Sequence, residues 1–139
     1  MSVKLPDGAL VLVVSDNPAD VFLVEDAARE DARHIELEVA STGEEALARL
    51  ASGASSRPPD LVLLDLHLPG VDGFEVLEQV WASDQTYDVP LIVLTSSRNP
   101  EHRQRARKLG AHDYLEKPFD TDEFIRMVRT VWDRLLDAE

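Results

Sequence analysis

Two aspartates, a threonine and a lysine stand just past separate apolar runs of this chain. Asp65 follows Leu61, Val62, Leu63 and Leu64 directly, and a loop carrying Pro69, Gly70 and Gly73 parts it from the next helical pattern. Ser15 and Asp16 follow the run at 9–14, Thr95 closes the run at 91–95, and Lys117 ends the stretch at 112–117. Short apolar runs bounded by turn residues read as buried strands. In an open parallel sheet the strands' carboxyl ends share one edge, where ligands gather. One crevice would then hold two carboxylates, a hydroxyl and an ammonium. Neighbouring carboxylates repel unless a cation relieves them. Mg²⁺ suits such a place, because it needs only one or two carboxylates besides water and phosphate oxygens. A carboxylate can also attack a phosphoryl group and become an aspartyl phosphate. A lysine would offset the charge of the transferred oxygens, and a threonine hydroxyl would bond one of them.

Each residue has an ordinary use when taken alone. Asp16 shares with Asn17 the role of candidate cap for a helix opening at Pro18. Lys117 alone reads as a surface lysine, and Thr95 as a β-branched strand end. Asp65 lies too far ahead of its helix to cap it. The joint occurrence favours chemistry.

The elements that would position these groups alternate. A helix is expected from 18 to about 31, with Val21, Leu23, Val24, Ala27 and Ala28 on one face and Phe22 on the other. A half-exposed strand at 35–40 precedes a helix capped at 41–43 and ending near 53. After a loop at 52–60 come the Asp65 strand and a helix at 74–83. A loop at 83–89, the strand at 91–95, a basic helix at 101–109 ended by Gly110, and the strand at 112–117 follow. Asp120 with Glu123 forms a candidate capping box for the last helix. Strands alternating with helices imply right-handed crossovers and a parallel sheet covered on both faces.

Composition narrows the function classes. Fourteen Lys and Arg against 27 Asp and Glu give a net charge of −13, which disfavours nucleic acid as a partner. With no cysteine there is neither a disulfide nor a thiolate metal site. No apolar run is long enough for a membrane span and the start has no signal-peptide core, so the expectation is a soluble cytoplasmic chain without a membrane partner.

The segments LVVSDNPAD, LVLLDLHLPGVDG, LIVLTSS and LGAHDYLEKPF, in this order and spacing, resemble the receiver domains of two-component response regulators across essentially the whole sequence. The resemblance implies a flavodoxin-like α/β fold, a five-stranded parallel sheet of order 2-1-3-4-5 with five helices on both faces. It implies Asp65 as phosphoacceptor, with Asp16, Asp65 and the main-chain carbonyl of His67 as ligands to Mg²⁺. Thr95 is the implied switch hydroxyl, Tyr114 the aromatic that follows it, and Lys117 the cation that binds the phosphoryl group. The family usually has a cis peptide before the proline at position 118, which would aim Lys117 inward; the base rate for X–Pro bonds favours trans. A sensor histidine kinase is the implied partner. The ADVFLVEDA opening, the TSSRNPE segment and the Trp-bearing last helix resemble stand-alone receivers that partner bacterial phytochrome kinases. Such a domain is a signalling module with only intrinsic phosphotransfer and autodephosphorylation, not an enzyme in its own right. A dehalogenase-like phosphotransferase would have a second Asp at position 67, where His67 stands, and an inserted cap domain.

The family usually has two acids after the first strand, and here the first is Ser15. Weaker Mg²⁺ binding is expected, with Asp20, four residues after Asp16, partly compensating from the same helix face. A pseudo-receiver that works without phosphorylation is the alternative. The His67 side chain is expected beside the site, and His34, His102 and His112 in surface or packing roles. Only about 20 residues follow Pro118. The expectation is therefore one receiver domain at 1–139, without an output domain, signalling by protein contacts or phosphorelay. In the last helix Phe124, Val128, Val131, Trp132 and Leu135 form a stripe that Ile125, Met127 and Leu136 widen. A stripe wider than one sheet face needs suggests a homodimer through the Phe124, Trp132 and Leu136 region.

Overall fold

Three apolar runs become strands buried at every position: β1 (Leu10–Val14), β3 (Leu61–Leu64) and β4 (Leu91–Thr95). Unbroken burial is what parallel strands need when helices cover both faces. The alternating run forms β2 (Glu36–Ala40) and a shorter one β5 (Asp113–Glu116), and these are the sheet's two edges. All pairings are parallel and the order is β2-β1-β3-β4-β5. This is the expected order. The computed structural model describes residues 8–29, 31, 33–51, 57–82 and 89–136. The expected loops at 52–60 and 83–89 fall largely outside them.

Strand parity sorts the core into two layers. Val11, Val13, Leu61, Leu63, Ile92 and Leu94 face α1 (Pro18–Arg29) and α5 (Thr121–Leu136). Leu12, Val14, Val62, Leu64, Leu91 and Val93 face α2 (Gly43–Leu50), α3 (Gly73–Ala82) and α4 (Pro100–Lys108). Helix starts follow local chemistry. Asn17 caps α1 by accepting from the amides of Ala19 (3.0 Å) and Asp20 (3.4 Å). Thr42 caps α2, Asn99 caps α4, and Asp120 accepts from the Asp122 amide at 2.8 Å to open α5. The helix at the second crossover ends earlier than expected, at Leu50.

The wide apolar stripe of α5 has a different use from the one expected. Phe124 and Trp132 are buried in this chain's own core, and Ile125 and Met127 are half-buried against the same cluster beside α1. Phe124 and Trp132 therefore cannot form a free dimer face. A helix seated between a sheet and a neighbouring helix buries a broader stripe than one lying on a sheet alone. The side chains of Leu135 and Leu136 lie outside the described residues.

Candidate functional site

The carboxyl ends of β1, β3, β4 and β5 bring the singled-out residues to one edge. Register sets the levels: Val14 pairs with Leu64, and the Asp65 amide donates to the Val14 carbonyl at 2.9 Å. Ser15 and Asp65 thus leave adjacent strands together. On the other side, the Lys117 amide donates to the Thr95 carbonyl at 2.7 Å, so Lys117 leaves β5 level with the end of β4. The Asp65 loop is drawn tight by Gly73, the first residue of α3. A Cβ there would lie 2.7 Å from the Asp65 carbonyl oxygen and 2.6 Å from Leu66 Cα, closer than real side chains come. Gly73 therefore lets α3 start against the loop that carries Asp65.

Asp65 is largely buried, with a side chain 8% exposed. Its Oδ1 accepts from the His67 amide at 3.0 Å, and its Oδ2 accepts from Lys117 Nζ at 2.9 Å. The Lys117–Pro118 bond is trans, and the lysine reaches inward without a cis turn. Lys117 has a second carboxylate partner, Asp20, through a short ion pair. Burial acts to lower the lysine's pKa, yet the hydrogen bonds and charges of Asp20 and Asp65 outweigh it and hold the ammonium above its ordinary value. The expected compensation by Asp20 on the metal side is therefore corrected: its carboxylate turns to the lysine.

Asp16 is exposed, and Asn17 performs the capping that could have explained it. Among the described residues no hydrogen bond or ion pair engages the Asp16 carboxylate. Ser15 is buried, and its Oγ accepts from the Asn17 amide at 3.1 Å, a local turn contact that supplies no charge. No three His, Cys, Asp or Glu side chains among the described residues gather closely enough to hold a metal by themselves. The oxygen donors present suit Mg²⁺: an uncommitted Asp16, a partly committed Asp65, and a main-chain carbonyl at His67, with the remaining positions open to water and phosphoryl oxygens.

Thr95 is fully buried, and its Oγ1 accepts from the Ser97 amide at 3.2 Å. Ser97 Oγ in turn lies 2.5 Å from His102 Nδ1, and the His102 ring meets Phe74 edge-on at 5.5 Å. His112 Nδ1 accepts from the Leu91 amide at 3.1 Å, and His67 is exposed beside the site. These are the side-site and packing roles expected of them. Tyr114 is buried beneath the Arg103 guanidinium, 4.7 Å from the ring centre, and its hydroxyl is buried with no hydrogen-bond partner. One contributor was placed on the wrong side and one was missed: Asp20 partners the lysine rather than the metal side, and Arg98 donates to the Lys117 carbonyl at 2.7 Å. Arg98 has no local signature, whereas Asp20 shows its spacing from Asp16 but not its direction.

A doubly wound sheet of order 2-1-3-4-5 with acids and a lysine at its carboxyl edge defines a flavodoxin-like α/β class. Comparison with known proteins narrows the class: the chain belongs to the response regulator receiver domain family, whose pattern matches residues 11–129. It is 34% identical to the DNA-binding dual master transcriptional regulator RpaA of Synechocystis over 87% of this chain and 48% of that protein. It is 35% identical to a probable cyclic di-GMP phosphodiesterase of Vibrio cholerae over 85% of this chain and 25% of that protein. The chain thus spans half or less of these two relatives. Protein PilH of Pseudomonas aeruginosa is matched over 97% of its length and 88% of this chain, at 30% identity. Among solved structures, the phosphorylated cyanobacterial phytochrome response regulator RcpA superposes with a TM-score of 0.87 at 29% identity, covering 94% of this chain and 96% of that one. The Mn²⁺-bound form of Rcp1 gives 0.87 at 30%, with the same coverage. The bacteriophytochrome response regulator AtBRR gives 0.70 at 35%, covering 96% and 100%.

Proposed function

We propose that this chain is a phosphoacceptor response regulator, phosphorylated on Asp65 by a sensor histidine kinase with Mg²⁺. The observation that carries the reading is the Asp65–Lys117 contact at 2.9 Å at the sheet edge where Asp16 follows β1 and Thr95 ends β4. An Asp65 oxygen attacks the phosphorus of a phosphohistidine. The P–N bond breaks, its electron pair goes to the imidazole, and the ring nitrogen takes a proton. Lys117 and Thr95 bond the new phosphoryl oxygens. Asp16, Asp65 and the His67 carbonyl would hold Mg²⁺, which when bound offsets the charge on those oxygens. For Thr95 to turn inward its bond from the Ser97 amide must break, which couples the site to the β4–α4 loop. Tyr114, with no hydroxyl bond to lose, is free to follow. Water returns the acyl phosphate to carboxylate.

The phytochrome response regulators among the structural neighbours support a bacterial phytochrome kinase as the donor. Signalling then proceeds by protein contacts or phosphorelay from the receiver domain, placed in the cytoplasm with that kinase. The protein also pairs as a homodimer, and Phe124 and Trp132, buried in the chain's own core, take no part in that contact.

Incubation with Mg²⁺ and acetyl phosphate, followed by intact mass, tests the reading. A gain of roughly 80 Da, one phosphoryl group, is expected in the wild type and absent in Asp65→Asn. No gain in the wild type favours the pseudo-receiver. A purified phytochrome kinase, autophosphorylated first, is expected to lose its label to this chain faster than an unrelated histidine kinase does; equal rates contradict that partner.

A further inference from the structure

We propose that Asp20 is a positioning residue that brakes phosphoryl transfer by competing for Lys117, an inference that rests on Asp65 being the phosphoacceptor. Asp20 stands in the first turn of α1, where Asn17 accepts from its amide and from that of Ala19. Its carboxylate is thus carried by a capped helix rather than a mobile loop. One turn later Val24 is buried against the sheet, which fixes the face of α1 that Asp20 shares. An acid in a helix's first turn is favourable in water. That preference does not explain why this one turns inward, with a side chain only 16% exposed, onto a lysine 12% exposed.

The lysine is shared. Its ammonium bonds Asp20 and Asp65 at once, and Val13, Leu63 and Leu94 line the small cavity beneath all three groups. In such a place water screens charge poorly, so each added anion matters. When Asp65 becomes an acyl phosphate, the phosphoryl oxygens need the ammonium that Asp20 still holds. The dianion also meets the Asp20 charge directly. Together with Ser15 this describes a displaced acid: the carboxylate missing beside the metal ligands is found on the lysine's other side. The metal side is one charge poorer, and the lysine is one partner richer.

Removing the Asp20 charge therefore makes Lys117 more available and the crevice less repulsive to a phosphoryl donor. Wild type, Asp20→Asn, Asp20→Glu and Asp65→Asn are compared by intact mass over time in acetyl phosphate at saturating Mg²⁺, with Mg²⁺ affinity measured separately by calorimetry. Asp20→Asn is expected to gain the phosphoryl group roughly three- to tenfold faster than wild type, while its Mg²⁺ affinity stays equal or weakens. Asp20→Glu, which restores the charge one methylene further out, falls between them. A mere loss of structure lowers both the rate and the affinity and cannot produce this split. Asp20→Ser carries the same expectation if the amide variant does not fold. A rate equal to or slower than wild type in the charge-removed variant overturns the inference while the phosphoacceptor reading stands. A wild type that gains no phosphoryl group overturns both.

Discussion

Ser15 and Asp20 show how single positions set the balance of this site. Ser15 uses its hydroxyl on the Asn17 amide and brings no charge to the place where Asp16 is uncommitted. In the proposed site a dication would be held by two carboxylates, Asp16 and Asp65, and by neutral oxygens. Replacing Ser15 with Asp adds a third negative charge beside them. We expect Ser15→Asp to bind Mg²⁺ more tightly than wild type in a calorimetric titration, since opposite charges attract strongly where water is partly excluded. Equal affinities contradict this account of the serine. The same residue-scale view explains the raised pKa of Lys117, where two carboxylates outweigh burial.

At the scale of elements, the strands were legible because full burial leaves a simple trace, an unbroken apolar run ending at a polar residue. Asp65, Thr95 and Lys117 could be read as neighbours for the same reason: parallel order places strand ends together. The Asp20–Lys117 pair could not, since the two residues are 97 positions apart and meet only because α1 and the β5–α5 loop share one side of the crevice. Nor does stripe width reveal depth, which is why Ile125 and Met127 read as surplus surface although they lie half-buried against the core cluster. The tie between α1's exit and α5 was likewise invisible. Arg33 bonds Asp31 at 2.6 Å and Asp133 at 2.8 Å, joining the turn after α1 to α5. The Arg33 guanidinium, against the opposing effect of burial, holds the Asp31 carboxyl below its ordinary value of 3.8. A lowered carboxyl pKa stabilises the fold above the unfolded value and ceases to do so as pH falls through the folded one. Urea unfolding of wild type and Asp31→Asn is therefore expected to differ by about 1 kcal/mol at pH 7. That gap closes below the ordinary value of 3.8. A gap unchanged at low pH contradicts the assignment.

For the whole molecule, the charge of −13 and the two-layer core describe a small acidic domain with its candidate site at one edge of the sheet. No helix among the described residues is long and apolar enough to cross a membrane. The interior takes up Phe124, Val128, Val131 and Trp132 of α5, so the proposed association between copies does not run through them. Sedimentation at high micromolar concentration is expected to show a dimer, and a monomer there removes this part of the proposal. In the proposed function phosphorylation is the event on which the rest depends, and it comes down to one atom pair, an Asp65 oxygen and phosphorus. The most direct test treats the protein with Mg²⁺ and acetyl phosphate, reduces it with borohydride, which converts an acyl phosphate to an alcohol, and maps the peptides. The account predicts homoserine at position 65 and at no other acid; an unchanged Asp65, or homoserine elsewhere, would contradict it.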